Sequence, residues 1–234
     1  RLRAASLDSH ASVLAHHLYQ AGGVADTTRT ARVLLLAGKQ ALGSGAFEET
    51  VQLSDHVFSL ELGEQDPLLG EASQQHGEAL AGLQRYDDAV AAFERALTNA
   101  VARHDDAGIE RAAMGASNCH LWHGRLVESL APLRRGLEAL TSDAPRERAL
   151  LLGQLGRMRL TPGHVDEPWQ FTDEATGLAP RLGDSVVDAQ VRTALSWSQR
   201  LCGEYEAASA TARRARQAVR SGSAWGVADM LANL

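Results

Sequence analysis

The chain has 234 residues, 44% hydrophobic and 5% aromatic, with 23 Lys and Arg against 29 Asp and Glu, a formal charge of −6 and a pI near 5.8. Such an ordered, helix-rich composition with six prolines excludes a disordered chain, and the acidic balance argues against nucleic acid as a partner, because that affinity comes from clustered Lys and Arg. No apolar run approaches the roughly 18 residues that cross a bilayer, so no membrane partner is expected, and two lone cysteines fit a reducing cytoplasm.

Along the chain, a first helix is expected from about Leu7 to Gln20, within a leading segment 1–26. Amphipathic helix pairs then follow, each joined by a similar turn: GSGAF from Gly43, LQRYDDA from Leu83, HGRLVES from His123, PGHVDEP from Pro162 and CGEYEAA from Cys202. Counting five residues on from the Gly45-type position gives Thr50, Ala89, Ser129, Pro168 and Ala208, spaced by 39 or 40 residues. A period this regular predicts a helical-repeat array over 27–220, in which each unit covers the apolar face of the one before. Repeat one places Ala31, Leu34, Leu35, Gly38 and Ala41 on one helix face and Thr50, Leu53 and Val57 on the next. Repeat two buries Ala89, Val90, Phe93, Ala96 and Leu97; repeat four starts at Ser142-Asp143-Ala144-Pro145, where a capping side chain precedes a proline in the first turn. The stretch 221–234 reads as the first helix of a truncated further repeat, so the chain is expected to be part of a larger protein.

Gly77, Leu80, Tyr86, Ala89, Phe93 and Ala96 resemble the signature of the tetratricopeptide repeat (TPR). Small Gly77 and Ala89 suit a close helix crossing, Tyr86 seals the turn and Phe93 fills the space between repeats. The resemblance implies an all-α fold, a right-handed α–α superhelix of about five helix pairs plus flanking helices. The spacing exceeds the family's usual period of about 34 residues. Together with LAHHLYQAG (Leu14 to Gly22) and LLLAGKQAL (Leu34 to Leu42), it resembles the helical arrays of bacterial multidomain ATPase regulators, either class III adenylate or guanylate cyclases with a fused ATPase or LuxR-type transcriptional regulators.

Catalytic chemistry finds little support. Cys119, His120 and His123 have metal-ligating types, but His120 is expected to face the partner helix and His123 falls in a turn, so no metal is expected. LAGKQA lacks the earlier glycine and the following Ser or Thr of a phosphate loop, and Gly43-Ser44-Gly45 reads as a helix end. Arg134-Arg135 and Arg213-Arg214-Arg216 are read as cations near helix C-termini. The chain is therefore expected to be no enzyme and to need no cofactor.

What remains is the groove lined by the first helices. The inward position of the TPR pattern falls on Lys39, Glu78, Asn118, Arg157 and Trp197, with Gln74, Leu121 and Arg200 as inward neighbours. A mixed ladder of charges, amide and aromatic suits a peptide or docking domain. The carboxylate clamp of chaperone-binding TPR domains is not reproduced, since Leu35, Lys39, Gln75, Arg111 and Gly115 occupy its positions and only Arg111 keeps the type. The leading expectation is a non-catalytic interaction module of a larger regulator. The alternatives are a sugar or metabolite sensor using Trp122, Trp197 and Trp225, and a homodimerisation module using 224–234.

Overall fold

The repeated turns are built around one residue in the left-handed conformation. Gly45 (φ 78°), Gln84 (φ 60°), Gly124 (φ 76°) and Gly203 (φ 82°) all adopt it, at the register position from which the repeat was counted. The next N–H then folds back on the preceding helix: Ala46 to the Ala41 carbonyl at 2.8 Å, Arg85 to Leu80 at 2.9 Å and Glu204 to Gln199 at 2.9 Å. These bonds satisfy carbonyls that a helix end leaves without partners and set the reversal into the second helix.

This computed structural model describes residues 26–158 and 168–220. Among them are ten α-helices, a short 3₁₀ turn and no strand. The sequence expectations for 1–25, 159–167 and 221–234, including the helix at Leu7, the PGHVDEP turn up to Glu167 and the truncated repeat with Trp225, lie outside the described residues. The chain divides at Gly124 and Arg125 into two compact units.

The first unit contains α1 (Thr27–Gly43), α2 (Phe47–Phe58), α3 (Pro67–Gly82), α4 (Tyr86–Ala102) and α5 (Asp106–Trp122). Asp26, Asp66 and Asp105 cap α1, α3 and α5 by accepting backbone N–H bonds, and Pro67 opens α3 where its missing N–H costs nothing. Ala31, Leu34, Leu35, Leu53 and Val57 form one apolar cluster with Ala72 of the following repeat. Leu80, Ala89, Ala92 and Phe93 form another with Ala116 and Cys119 of α5. Each fully buried Leu or Phe contributes about 1.5–3 kcal/mol, so the covering of one pair by the next is the main stabilising term. Between repeats, buried Gln75 also donates Nε2 to the Leu35 carbonyl at 3.1 Å.

Close helix crossing depends on missing side chains. A Cβ on Gly77 would stand 2.9 Å from the Phe93 ring, and one on Gly115 would stand 2.5 Å from it. The Phe93 ring thus lies wedged between glycines of two successive first helices, as its reading between repeats predicts.

The second unit contains α6 (Leu130–Ala139), α7 (Pro145–Met158), α8 (Pro168–Leu178), the 3₁₀ turn Ala179–Leu182, α9 (Ser185–Leu201) and α10 (Tyr205–Arg220). Its core joins Ala149, Leu150 and Leu152 of α7 to Ala175, Val187 and Val191. Asp184 caps α9 through Val186 and Val187 N–H at 2.9 and 3.2 Å. Burial pushes its carboxyl up, but those two bonds and the Arg146 guanidinium outweigh it and hold the group below the usual carboxylate range. In the third repeat, residues 126–129 form turns and α6 begins only at Leu130, leaving Val127 76% exposed.

One interhelix bond recurs with its direction reversed. In the first repeat Thr50 of α2 donates its hydroxyl to the Gly38 carbonyl of α1 at 3.3 Å. In the fifth, Ser196 of α9 donates to the Ala208 carbonyl of α10 at 2.9 Å. Gly38 and Ser196, like Thr50 and Ala208, are register equivalents and buried.

Candidate binding groove

The first helices α1, α3 and α5 supply an open trough in the first unit. Its first stretch, about 530 Å³, is lined by Lys39, Gln74, Glu78, Asn99, Arg103 and Arg111 among others. The second, about 690 Å³, shares Gln74, Glu78 and Arg111 and adds Phe47, Tyr86, Glu110, Met114, Asn118 and Trp122. The shared residues make the two stretches adjoin. The room in the second comes partly from Gly82 and Gly115, where a Cβ would meet the Phe47 and Phe93 rings at 2.7 and 2.5 Å.

Local bonds hold the trough's polar side chains in place. Gln74 donates Nε2 to Glu78 Oε1 at 2.8 Å, one turn apart on α3. Arg103 lies 3.7 Å from Asp105, which also accepts the Gly108 N–H at 3.0 Å and so fixes the start of α5. Asn99 donates to the Asp66 carbonyl at 3.1 Å, tying α4 to the entry of α3. Lys39 and Arg111 are exposed and enter no ion pair among the described residues. At the far end Trp122 is 58% exposed, its ring centroid 6.1 Å from Tyr86, and Tyr86 lies 5.9 Å from His123. An aromatic wall facing amide, carboxylate and guanidinium groups can grip apolar side chains while hydrogen-bonding a backbone or a polyol.

Of the eight groove residues expected from the sequence, Lys39, Gln74, Glu78 and Asn118 line this trough. Leu121 is half-buried on α5 and outside the lining. Arg157, Trp197 and Arg200 belong to the second unit. Burial pulls the Arg157 guanidinium down to about 10, which leaves it protonated at neutral pH. Arg200 stacks 4.2 Å above the Trp197 ring. Glu110 and Met114 also line the trough, at positions outside the inward one of the repeat pattern. Their signal was spacing, since Met114 stands four residues and Glu110 eight before Asn118 on one helix face.

The metal-like set resolves into packing. Cys119 is buried, and that burial pushes its thiol up to about 11, away from the thiolate a metal needs. His123 lies 3.5 Å from Asp87 at the end of α5. Among the described residues no three His, Cys, Asp or Glu stand together as a metal-holding group, and no helix is long and apolar enough to cross a membrane.

No protein-family model matches the chain, and no curated protein matches it. Solved structures do. BtubC (BKLC) from P. vanneervenii is 15% identical, with 94% of this chain and 92% of that one covered and a TM-score of 0.68. The nearly identical TPR-like repeats of a kinesin-light-chain type from Podosopora anserina are 14% identical over 85% of this chain and 99% of that one, at a TM-score of 0.61. MamA is 11% identical over 84% and 95%, at 0.53. At these identities the likeness is one of fold, and the chain is an all-α, TPR-like helix-pair repeat protein.

Proposed function

We propose that the chain is a non-catalytic TPR-like interaction module that binds a peptide segment or docking domain along the trough of its first unit. The observation that supports this is the convergence of register-equivalent Lys39, Glu78 and Asn118, from three successive first helices, on adjoining stretches of one trough that ends at exposed Trp122. Amide and charged side chains there suit a peptide backbone, and the aromatic end suits a bulky apolar anchor. In this reading residues 27–220 carry the repeats, and the module serves a larger cytoplasmic regulator of the signalling-ATPase, cyclase or LuxR type, a context that rests on the Leu14 to Gly22 and Leu34 to Leu42 segments.

Selection from a displayed random-peptide library tests the groove. Peptides retained by the natural chain are expected to lose about tenfold or more in affinity against Asn118→Ala and Trp122→Ala chains, since an aromatic anchor typically contributes more than 1 kcal/mol. Peptides that bind all three chains equally, or no enriched peptide at all, defeat the proposal.

A second reading has its own observation. Trp122 and Tyr86 beside Gln74, Glu78, Asn118 and Arg111 also suit a sugar, whose ring stacks while its hydroxyls bond planar polar groups. Thermal stabilisation by a sugar together with an empty peptide selection would favour it. The self-association alternative falls on 224–234, outside the described residues.

A further inference from the structure

In the first unit, the face of α3 and α4 that meets the next repeat is apolar. Ala81, Val90, Phe93 and Leu97 lie on it, Phe93 and Leu97 are buried, and α5 packs against it. The register equivalents on α9 and α10 are Arg200, Ser209, Ala212 and Arg216, and Arg213 stands where α4 has Glu94. These residues line a cavity of about 290 Å³ together with Tyr205. Among the described residues no carboxylate lines it, and Arg200, Arg213 and Arg216 form no ion pair.

The helix dipole does not account for their placement. Arg213 and Arg216 lie within α10, which runs on to Arg220, so the reading of them as cations favoured by a helix C-terminus is corrected: that effect is confined to the last turn. Arg134 of the other cluster also precedes the last turn of α6, whose end carries no basic residue. Arg213 and Arg216 stand one turn apart and repel each other, and Arg200 adds a third positive charge across the cavity. An anion between them removes that repulsion.

We propose that this cavity is a binding site for a compact phosphate group, free or carried as a monoester. Guanidinium forks match the geometry of phosphate oxygens and give charge-assisted bonds. The Arg200 fork is already held by its stacking on Trp197 at 4.2 Å, which reduces the ordering that binding requires. Among the described lining residues, the Tyr205 and Ser209 hydroxyls are further donors, since Ser196 gives its own to the Ala208 carbonyl. At about 290 Å³ the cavity has room for a phosphate and a few further atoms, and with the chain's net charge of −6 this suits a monoester better than a nucleic acid.

Calorimetric titration of the whole chain with phosphoserine and with inorganic phosphate, at constant ionic strength, tests this. One-to-one saturable binding is expected, weakened about tenfold or more by Arg200→Gln, Arg213→Gln or Arg216→Gln and unchanged by Arg134→Gln. Arg213→Gln and Arg216→Gln alter exposed side chains, so they keep the test valid if Arg200→Gln disturbs the Trp197 stack. Tighter binding of phosphoserine than of phosphate identifies a monoester site, and equal binding identifies a free-phosphate site. No saturable binding, equal weakening by Arg134→Gln, or preferential binding of a DNA oligonucleotide lost in the same variants would overturn the proposal.

Discussion

His76 shows how a single half-buried ring carries a pH dependence. Its side chain is 14% exposed, Asp55 lies 3.8 Å from Nε2, Arg95 Nη2 lies 3.3 Å from Nδ1, and the Phe58 ring stands 5.5 Å away. Burial chiefly lowers its pKa below the ordinary 6.5; Asp55 opposes this, Arg95 and Arg85 reinforce it, and Asp88 opposes it. Because the folded pKa is the lower one, the contribution to stability is complete above about 6.5. It is lost as pH falls below that value, where the unfolded chain takes the proton first, until the folded-state pKa is passed. Urea unfolding at pH 7, 6 and 5 should show a steeper loss of stability in the natural chain than in His76→Gln. Parallel losses in the two chains would remove His76 as the cause.

Among the described turns that join the two helices of a repeat, Gln84 is the exception. Gly45, Gly124 and Gly203 hold the left-handed conformation without steric cost, whereas Gln84 brings a Cβ into it at φ 60°. Gln84→Gly is therefore expected to stabilise the chain by about 0.5–1 kcal/mol, raising the melting temperature by roughly 1–4 °C for a chain of this length. Gly203→Ala should destabilise by about 1–2 kcal/mol. A melting temperature lowered by Gln84→Gly would show that the Gln84 side chain makes a contact outweighing its backbone strain. The same turn fixes where the second helix starts: α2, α4 and α10 all begin two residues beyond the left-handed residue. The departure at 126–129 leaves an exposed apolar turn instead.

Across the molecule, that departure falls beside the division between the two units at Gly124 and Arg125. Among the described residues, thermolysin, which cuts before large apolar residues, should at low dose cleave first before Leu126 or Val127, because exposed turns are the segments a protease can seat. Mass spectrometry of the first fragments checks it, and an earlier cut inside α3 or α9 would contradict it. The helix pairs were legible from the sequence because backbone rules produce them locally: capping aspartates, Pro67 and Pro145 at first turns, and small residues at crossings. The trough was half legible, since register alone carries Lys39, Gln74, Glu78 and Asn118 onto it. Arg157 and Trp197 hold the register position of Glu78, and Arg200 that of Ala81 and Leu121, but all three sit among different neighbours, and neighbours decide whether a position is open. The cationic cavity was hidden for the same reason, because Arg200 and Arg216 are far apart in sequence and meet only when α9 and α10 pack.

The reversed hydroxyl bond limits how freely such repeats can exchange parts. A recombinant joining the Gly38 helix of the first repeat to the Ala208 helix of the fifth would have two carbonyls facing each other and no hydroxyl to link them. The reciprocal hybrid, with Ser196 against Thr50, would hold two hydroxyls where one suffices. For this bond each repeat is a matched pair, so a single helix traded between the first and fifth repeats needs a compensating change in its partner helix.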